Sequence, residues 1–208
     1  MINFGANCTK CDLSMTRRNV VWGEGESGVP LMLVGEAPGA AEDLSGSPFA
    51  GAPGKLMRRM LLESGWTSEE VYITNRVKCR PPTNRDPLPG EQDACAPWLV
   101  MEITAIRPKT ILFLGRVAGT IAHVGVEKLT EQHRIARAMT FGGHTVLTLV
   151  TYHPGYALRN GDQAQDIIRN DLKLVRLLAN GLVAQRIEHA ASNGGVVGLN
   201  PTQATNTS

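Results

Sequence analysis

Pro30 to Gly39 reads PLMLVGEAPG: four aliphatic residues run straight into Gly35, an acid and a Pro-Gly turn. An apolar run this short, closed by turn residues, reads as a strand buried on both faces. Three further stretches share its character, VYITNRV (Val71 to Val77), TILFLG (Thr110 to Gly115) and TVLTLVTY (Thr145 to Tyr152). Between and after them lie segments expected to be helices: Gly54 to Ser64, Gly90 to Ile106, Val117 to Val124 and Asp162 to Leu178. The last carries Ile167, Ile168, Leu172, Val175 and Leu178 on one face. Strands alternating with helices imply an α/β fold, a mostly parallel sheet with helices on both faces, and place ligand chemistry at the C-terminal strand ends.

Those ends are polar. GEAPGAAED follows the first strand, Asn75 and then KCRPPTNR close the second, and HPGYALR follows the fourth. Gly35 and Gly39 are expected to let main-chain N–H groups approach a ligand. Each motif has a plain alternative: an ordinary turn for GEAPG, a turn-forming amide for Asn75, a structural imidazole for His153. Their joint placement at strand ends favours a shared site.

The 208 residues, 42% of them apolar, suffice for one well-buried domain and are short for two. Lys and Arg exceed Asp and Glu by 21 to 19, so any basic surface must be local. The start, MINFGANCTKCD, lacks an apolar targeting core, and there is no run of about 18 apolar residues as a membrane span needs. The expectation is a soluble, cytoplasmic protein without membrane contact. The four cysteines are Cys8, Cys11, Cys79 and Cys95. With nothing marking secretion, a tetrathiolate site for zinc or an iron–sulfur cluster is preferred to disulfides, and spacing does not choose between the metals.

GEAPGAAEDLSGSPFAG, VYITNRVKCRPPTNRDPLPGE and HPGYALRN, together with the four cysteines, resemble the iron–sulfur uracil-DNA glycosylases known as family 4, over roughly Cys8 to Leu178. The resemblance implies a three-layer uracil-DNA glycosylase fold with a central four-stranded parallel sheet flanked by helices. It also implies a 4Fe-4S cluster on Cys8, Cys11, Cys79 and Cys95, and a partner in uracil-containing DNA. The protein is expected to act as a monomer.

Such an enzyme flips deoxyuridine out of DNA, holds the base in a closed pocket and hydrolyses the N-glycosidic bond, leaving an abasic site for base excision repair. Positive charge develops on the sugar and negative charge on uracil, so carboxylates suit the first and donors the second. By resemblance, Phe49 forms the stacking wall and Asn75 reads the uracil edge, an amide offering both donor and acceptor. His153 would donate toward uracil O2, and Gly35, Glu36, Ala37 and Gly39 would line the base site. The Asp that the best-known glycosylases of the superfamily carry two residues after the motif's Gly is here Ala37. Glu42 is therefore the first candidate for positioning water and Glu36 the second, with Asn84 as helper. Glu42 and Asp43 could instead only favour a helix start.

DNA contact is expected from Lys78, Arg80, Arg85 and Arg159, and from Pro154, Gly155, Tyr156 and Ala157 pressing into the minor groove. Two departures stand out, Gly155 where the family often has Ser and Ala50 where it often has Val. A related branch links covalently to DNA through a histidine in an inserted basic loop. No insertion follows Arg80 to Arg85, and the nearest match, His133 to Ile135, follows another strand, so turnover is expected. The domain is read as residues 1–179 and the Gly-, Asn-, Ser- and Thr-rich 180–208 as a poorly ordered tail. Its VAQRIEH and VVGLNPT words resemble conceptual translations of transfer-RNA genes. The alternative function is a catalytically weak module that only binds uracil-containing DNA.

Overall fold

The computed structural model describes residues 7–121, 129, 133–181 and 197–198. Strand β1 (Leu31–Gly35) lies inside the sheet, with β2 (Val71–Asn75) on one side and β3 (Thr110–Leu114) on the other, both parallel to it. Beyond β3 comes β4 (Ile135–Phe141) only after β5 (His144–Thr151): the order is β2-β1-β3-β5-β4-β6, with β6 a two-residue strand at Val197–Gly198. The four expected strands form the parallel set, β3 pairing with β5 in the same sense.

Strand β4 was not anticipated. It runs antiparallel to β5 and joins it through Gly142 and Gly143, whose φ values of 53° and 82° suit a tight hairpin. Its sequence, IARAMTF, buries only Ala136 and Phe141 rather than running apolar, as a strand towards the rim of the sheet does. Val197–Gly198, within the span read as a tail, pairs with Ile135 and Ala136. The rest of that tail beyond Gly181 lies outside the described residues.

The helices are α1 (Ala40–Ser45), α2 (Ala52–Glu63), α3 (Pro89–Ile106), α4 (Gly115–Gly119), α5 (Pro154–Asn160) and α6 (Asp162–Ala179). Alternate β1 side chains supply two cores, which makes the fold three-layered. Leu31 and Leu33 pack with Met57 and Met60 of α2 and with Ile168, Leu172 and Val175 of α6. Met32 and Val34 pack with Leu99, Ile103 and Ile106 of α3. The helix expected at Val117 to Val124 begins earlier, at Gly115, and ends at Gly119, with Thr120 and Ile121 in a turn; residues 122–124 lie outside those described. Helices α1 and α5 appear where loops were read, because their sequences are short and glycine-flanked. Among the described residues no helix is long and apolar enough to cross a membrane.

Candidate active site

The C-terminal ends of β1, β2 and β5 open onto a cleft of about 440 Å³. Gly35 lies opposite Asn75 in the β1–β2 register. A Cβ on Gly35 would sit 2.3 Å from Asn75 Oδ1 and 3.0 Å from Phe49 Cζ, so the amide and the ring meet over a bare backbone. Phe49 is buried and holds a left-handed backbone, φ 57°, a costly conformation for a bulky residue. Gly54 in the first turn of α2 presses on it: a Cβ there would lie 2.1 Å from the Phe49 carbonyl oxygen. SPFAGAPG therefore folds as a clamp that faces Phe49 toward the strand ends.

Glu42, on α1, lines the cleft with both oxygens engaged. Gly39 N–H donates to Oε2 at 3.0 Å, capping the helix, and Gly51 N–H donates to Oε1 at 2.7 Å. The Gly39 N–H is thus taken up by Glu42, while Gly35 leaves bare backbone at the cleft floor. Asp43 is buried and accepts from the main chain of Arg18 and Asn19, which makes it a brace for the N-terminal segment. Glu36 and Ala37 lie half-buried in the cleft wall. Burial first, and the charge of Asp86 second, raise the Glu36 pKa to about 7, with Arg116 opposing.

His153 caps α5. Its Nδ1 accepts the Gly155 N–H at 3.0 Å, which leaves the ring proton on Nε2. Burial, aided by Arg159 and opposed by Glu42, lowers its pKa to about 4, so the imidazole is a neutral donor at pH 7. Asn84 reaches the cleft on an exposed turn where it and Thr83 have φ values of 58° and 57°. Its Oδ1 accepts from Arg80 Nε at 2.7 Å. Arg85 also reaches the cleft but is held by both oxygens of Glu91, at 2.7 and 2.8 Å.

Two expectations about DNA contact are corrected. Lys78 is 1% exposed and paired with Glu102, so it has no surface to offer a phosphate. HPGYALR is a helix rather than a wedge loop; Pro154, Gly155 and Ala157 are buried, and its exposed side chains are Tyr156, Leu158 and Arg159. Pro154 and Gly155 still line the cleft. His133 lies outside the cleft lining, with Nε2 2.6 Å from Asp171. Sequence reasoning missed Gly51, Leu158 and Glu91. The Glu91 signal was present, a Pro-Gly helix start with an acid at its third position.

A family model described as the uracil DNA glycosylase superfamily matches residues 22–174. The chain belongs to the uracil DNA glycosylase superfamily. A type-4 uracil-DNA glycosylase of Saccharolobus solfataricus is 40% identical over 174 residues, covering 81% of this chain and 80% of that protein. One from Archaeoglobus fulgidus is 41% identical over 173 residues, covering 81% and 86%. A type-5 uracil-DNA glycosylase of Thermus thermophilus is 32% identical over 148 residues, covering 63% and 67%.

This glycosylase-superfamily chain also gathers its four cysteines at one place. Cys8, Cys11, Cys79 and Cys95 line a single small cavity beside Trp98, and none is in a disulfide. Arg17 Nη1 donates to Cys79 Sγ at 3.5 Å and the Lys78 main-chain N–H to Cys95 Sγ at 3.3 Å. Burial raises the pKa of both Cys79, to about 11, and Cys95. The buried indole N–H of Trp98 has no hydrogen-bond partner among the described residues. Among those residues no three His, Cys, Asp or Glu side chains form a ligand group for a single metal ion.

Proposed function

We propose that this protein is a monofunctional uracil-DNA glycosylase, acting in base excision repair as an intracellular monomer. The observation that carries the reading is the convergence of the Phe49 ring, the Asn75 amide and the neutral His153 on one cleft at the strand ends. Phe49 stacks on the flipped base, and Asn75 matches the O4 and N3–H edge of uracil. His153 donates from Nε2 to O2 as negative charge builds there; losing one such donor typically costs about 2.7 to 4 kcal/mol of transition-state stabilisation.

Glu42 remains the first candidate for the water and the sugar cation. Two N–H groups fix its carboxylate without filling its acceptor capacity, and it acts electrostatically on His153. Glu36 is the second candidate, and Asn84 orients the cleft mouth with Arg80. Tyr156, Leu158 and Arg159 form the exposed face of α5 toward the duplex, with Arg80 and Arg85 at the adjoining loop.

The four cysteines suit a 4Fe-4S cluster: they share one cavity, main-chain and guanidinium donors point to two of the sulfurs, and an indole N–H lies alongside unpaired. Such a group would supply a clamp between the N-terminal segment and the loop after β2.

Uracil release from a labelled single-uracil oligonucleotide tests the function. Multiple turnover, weakened in His153→Ala and Glu42→Ala, supports it. Uracil-selective binding without release would favour the binding-module alternative, and a heat-stable protein–DNA adduct would show covalent capture.

A further inference from the structure

Lys78 carries a buried ammonium that the chemistry above does not use. Its Nζ donates to the Asn75 main-chain oxygen at 2.5 Å and to Thr74 Oγ1 at 2.7 Å, with Glu102 as counter-ion. Glu102, wholly buried on α3, also accepts from Thr74 Oγ1 at 2.8 Å and Gly23 N–H at 3.0 Å. Cys95 of the same helix accepts the Lys78 N–H. A buried ion pair is a poor device for stability alone, since a well-packed apolar pair often does as well or better.

Its position suggests another use. Asn75 is the last residue of β2, where the ladder with β1 ends; the Arg76 N–H already turns to the Gly35 carbonyl. The Asn75 carbonyl needs a partner there, and the Lys78 ammonium provides it from the interior. With the Arg76 N–H held on Gly35, that bond pins the same peptide unit at its other end, and so steadies the direction of an amide in contact distance of Gly35. We propose that Lys78 is a positioning residue for Asn75, holding its carbonyl so that the amide meets the uracil edge, while Glu102 and Cys95 hold Lys78. This rests on the reading of Asn75 as the uracil-edge group.

The test separates kcat from KM on a single-uracil oligonucleotide, with thermal melting alongside. The proteins are the parent, Lys78→Met, Lys78→Met with Glu102→Met, Asn75→Ala, and Lys78→Met with Asn75→Ala. The expected result is a fall in kcat of about 10- to 100-fold for Lys78→Met, the scale of a small misplacement. The Met–Met protein should regain melting temperature without regaining kcat, and serves alone if Lys78→Met does not fold. Adding Lys78→Met to Asn75→Ala should cost little more. Recovery of kcat in the Met–Met protein, or losses that multiply, would overturn the proposal by reducing the pair to packing. Parent-like turnover by Asn75→Ala would instead sink the uracil-edge reading, and the proposal with it.

Discussion

Gly35 matters for the side chain it lacks. Gly35→Ala would push a methyl to within 2.3 Å of Asn75 Oδ1 as the structure stands. We expect kcat/KM for uracil release to fall about 100-fold while the melting temperature moves little. The acid–base groups make separate predictions. With its pKa raised to about 7, Glu36 is mostly neutral below that pH and ionised above it. If Glu42 positions the water, ionised Glu36 adds charge beside the departing uracil anion, and kcat/KM falls as pH rises through about 7. Glu36→Gln should flatten that limb; a limb that rises with pH would give the water to Glu36 and leave Glu42 as scaffold. His153 works on stability in the other direction. Its folded pKa of about 4 lies below the usual 6.5, so its contribution is present above about pH 6.5 and is lost as pH falls toward 4. Urea unfolding of His153→Gln across that window should show less acid destabilisation than the parent. That the motif residues share one cleft was legible in the sequence because they follow successive parallel strands. The left-handed Phe49 and the double hold on Glu42 were not, since both depend on contacts with residues on α2 or before it.

At the scale of elements, the loop after β2 is fastened by the start of α3. Glu91 accepts the Leu88 N–H at 2.7 Å, capping the helix, while both its oxygens bind Arg85. Glu91→Ala should cost about 1 to 2 kcal/mol in urea unfolding, the scale of a lost cap with a charge-assisted bond. A loss near zero would mean that the loop holds itself. The four parallel strands were readable because burial on both faces leaves a continuous apolar run. β4 was not, because with only Ala136 and Phe141 buried it carries no apolar run, and α1 and α5 were too short to show a period. Lys78 shows the limit of reading charge as surface: only the fold brings Glu102, on the next helix, against it.

Across the whole molecule, the cysteines join distant parts of the chain. Cys8 and Cys11 precede the sheet, Cys79 follows β2 and Cys95 lies in α3, yet they line one cavity packed beside Ala37 of the cleft wall. If the cysteines hold the proposed cluster, its anaerobic removal should lower the melting temperature and expose the segment around Cys8 to Arg17 to protease; an unchanged melting curve would argue against the clamp. That the four cysteines gather was readable from their number, but their nearness to the cleft was not.

The strand order also governs how the protein can be made. β1 is synthesised first, yet its two neighbours arrive about 40 and 80 residues later, and the pocket's last wall, His153, follows at the end of β5. While a ribosome is still extending the chain, LMLV has neither edge paired, and parallel pairing across such separations is slow. The Gly35, Phe49 and Asn75 side of the pocket is made long before His153, so the donor that faces it arrives last, and the early apolar strand waits exposed in the meantime.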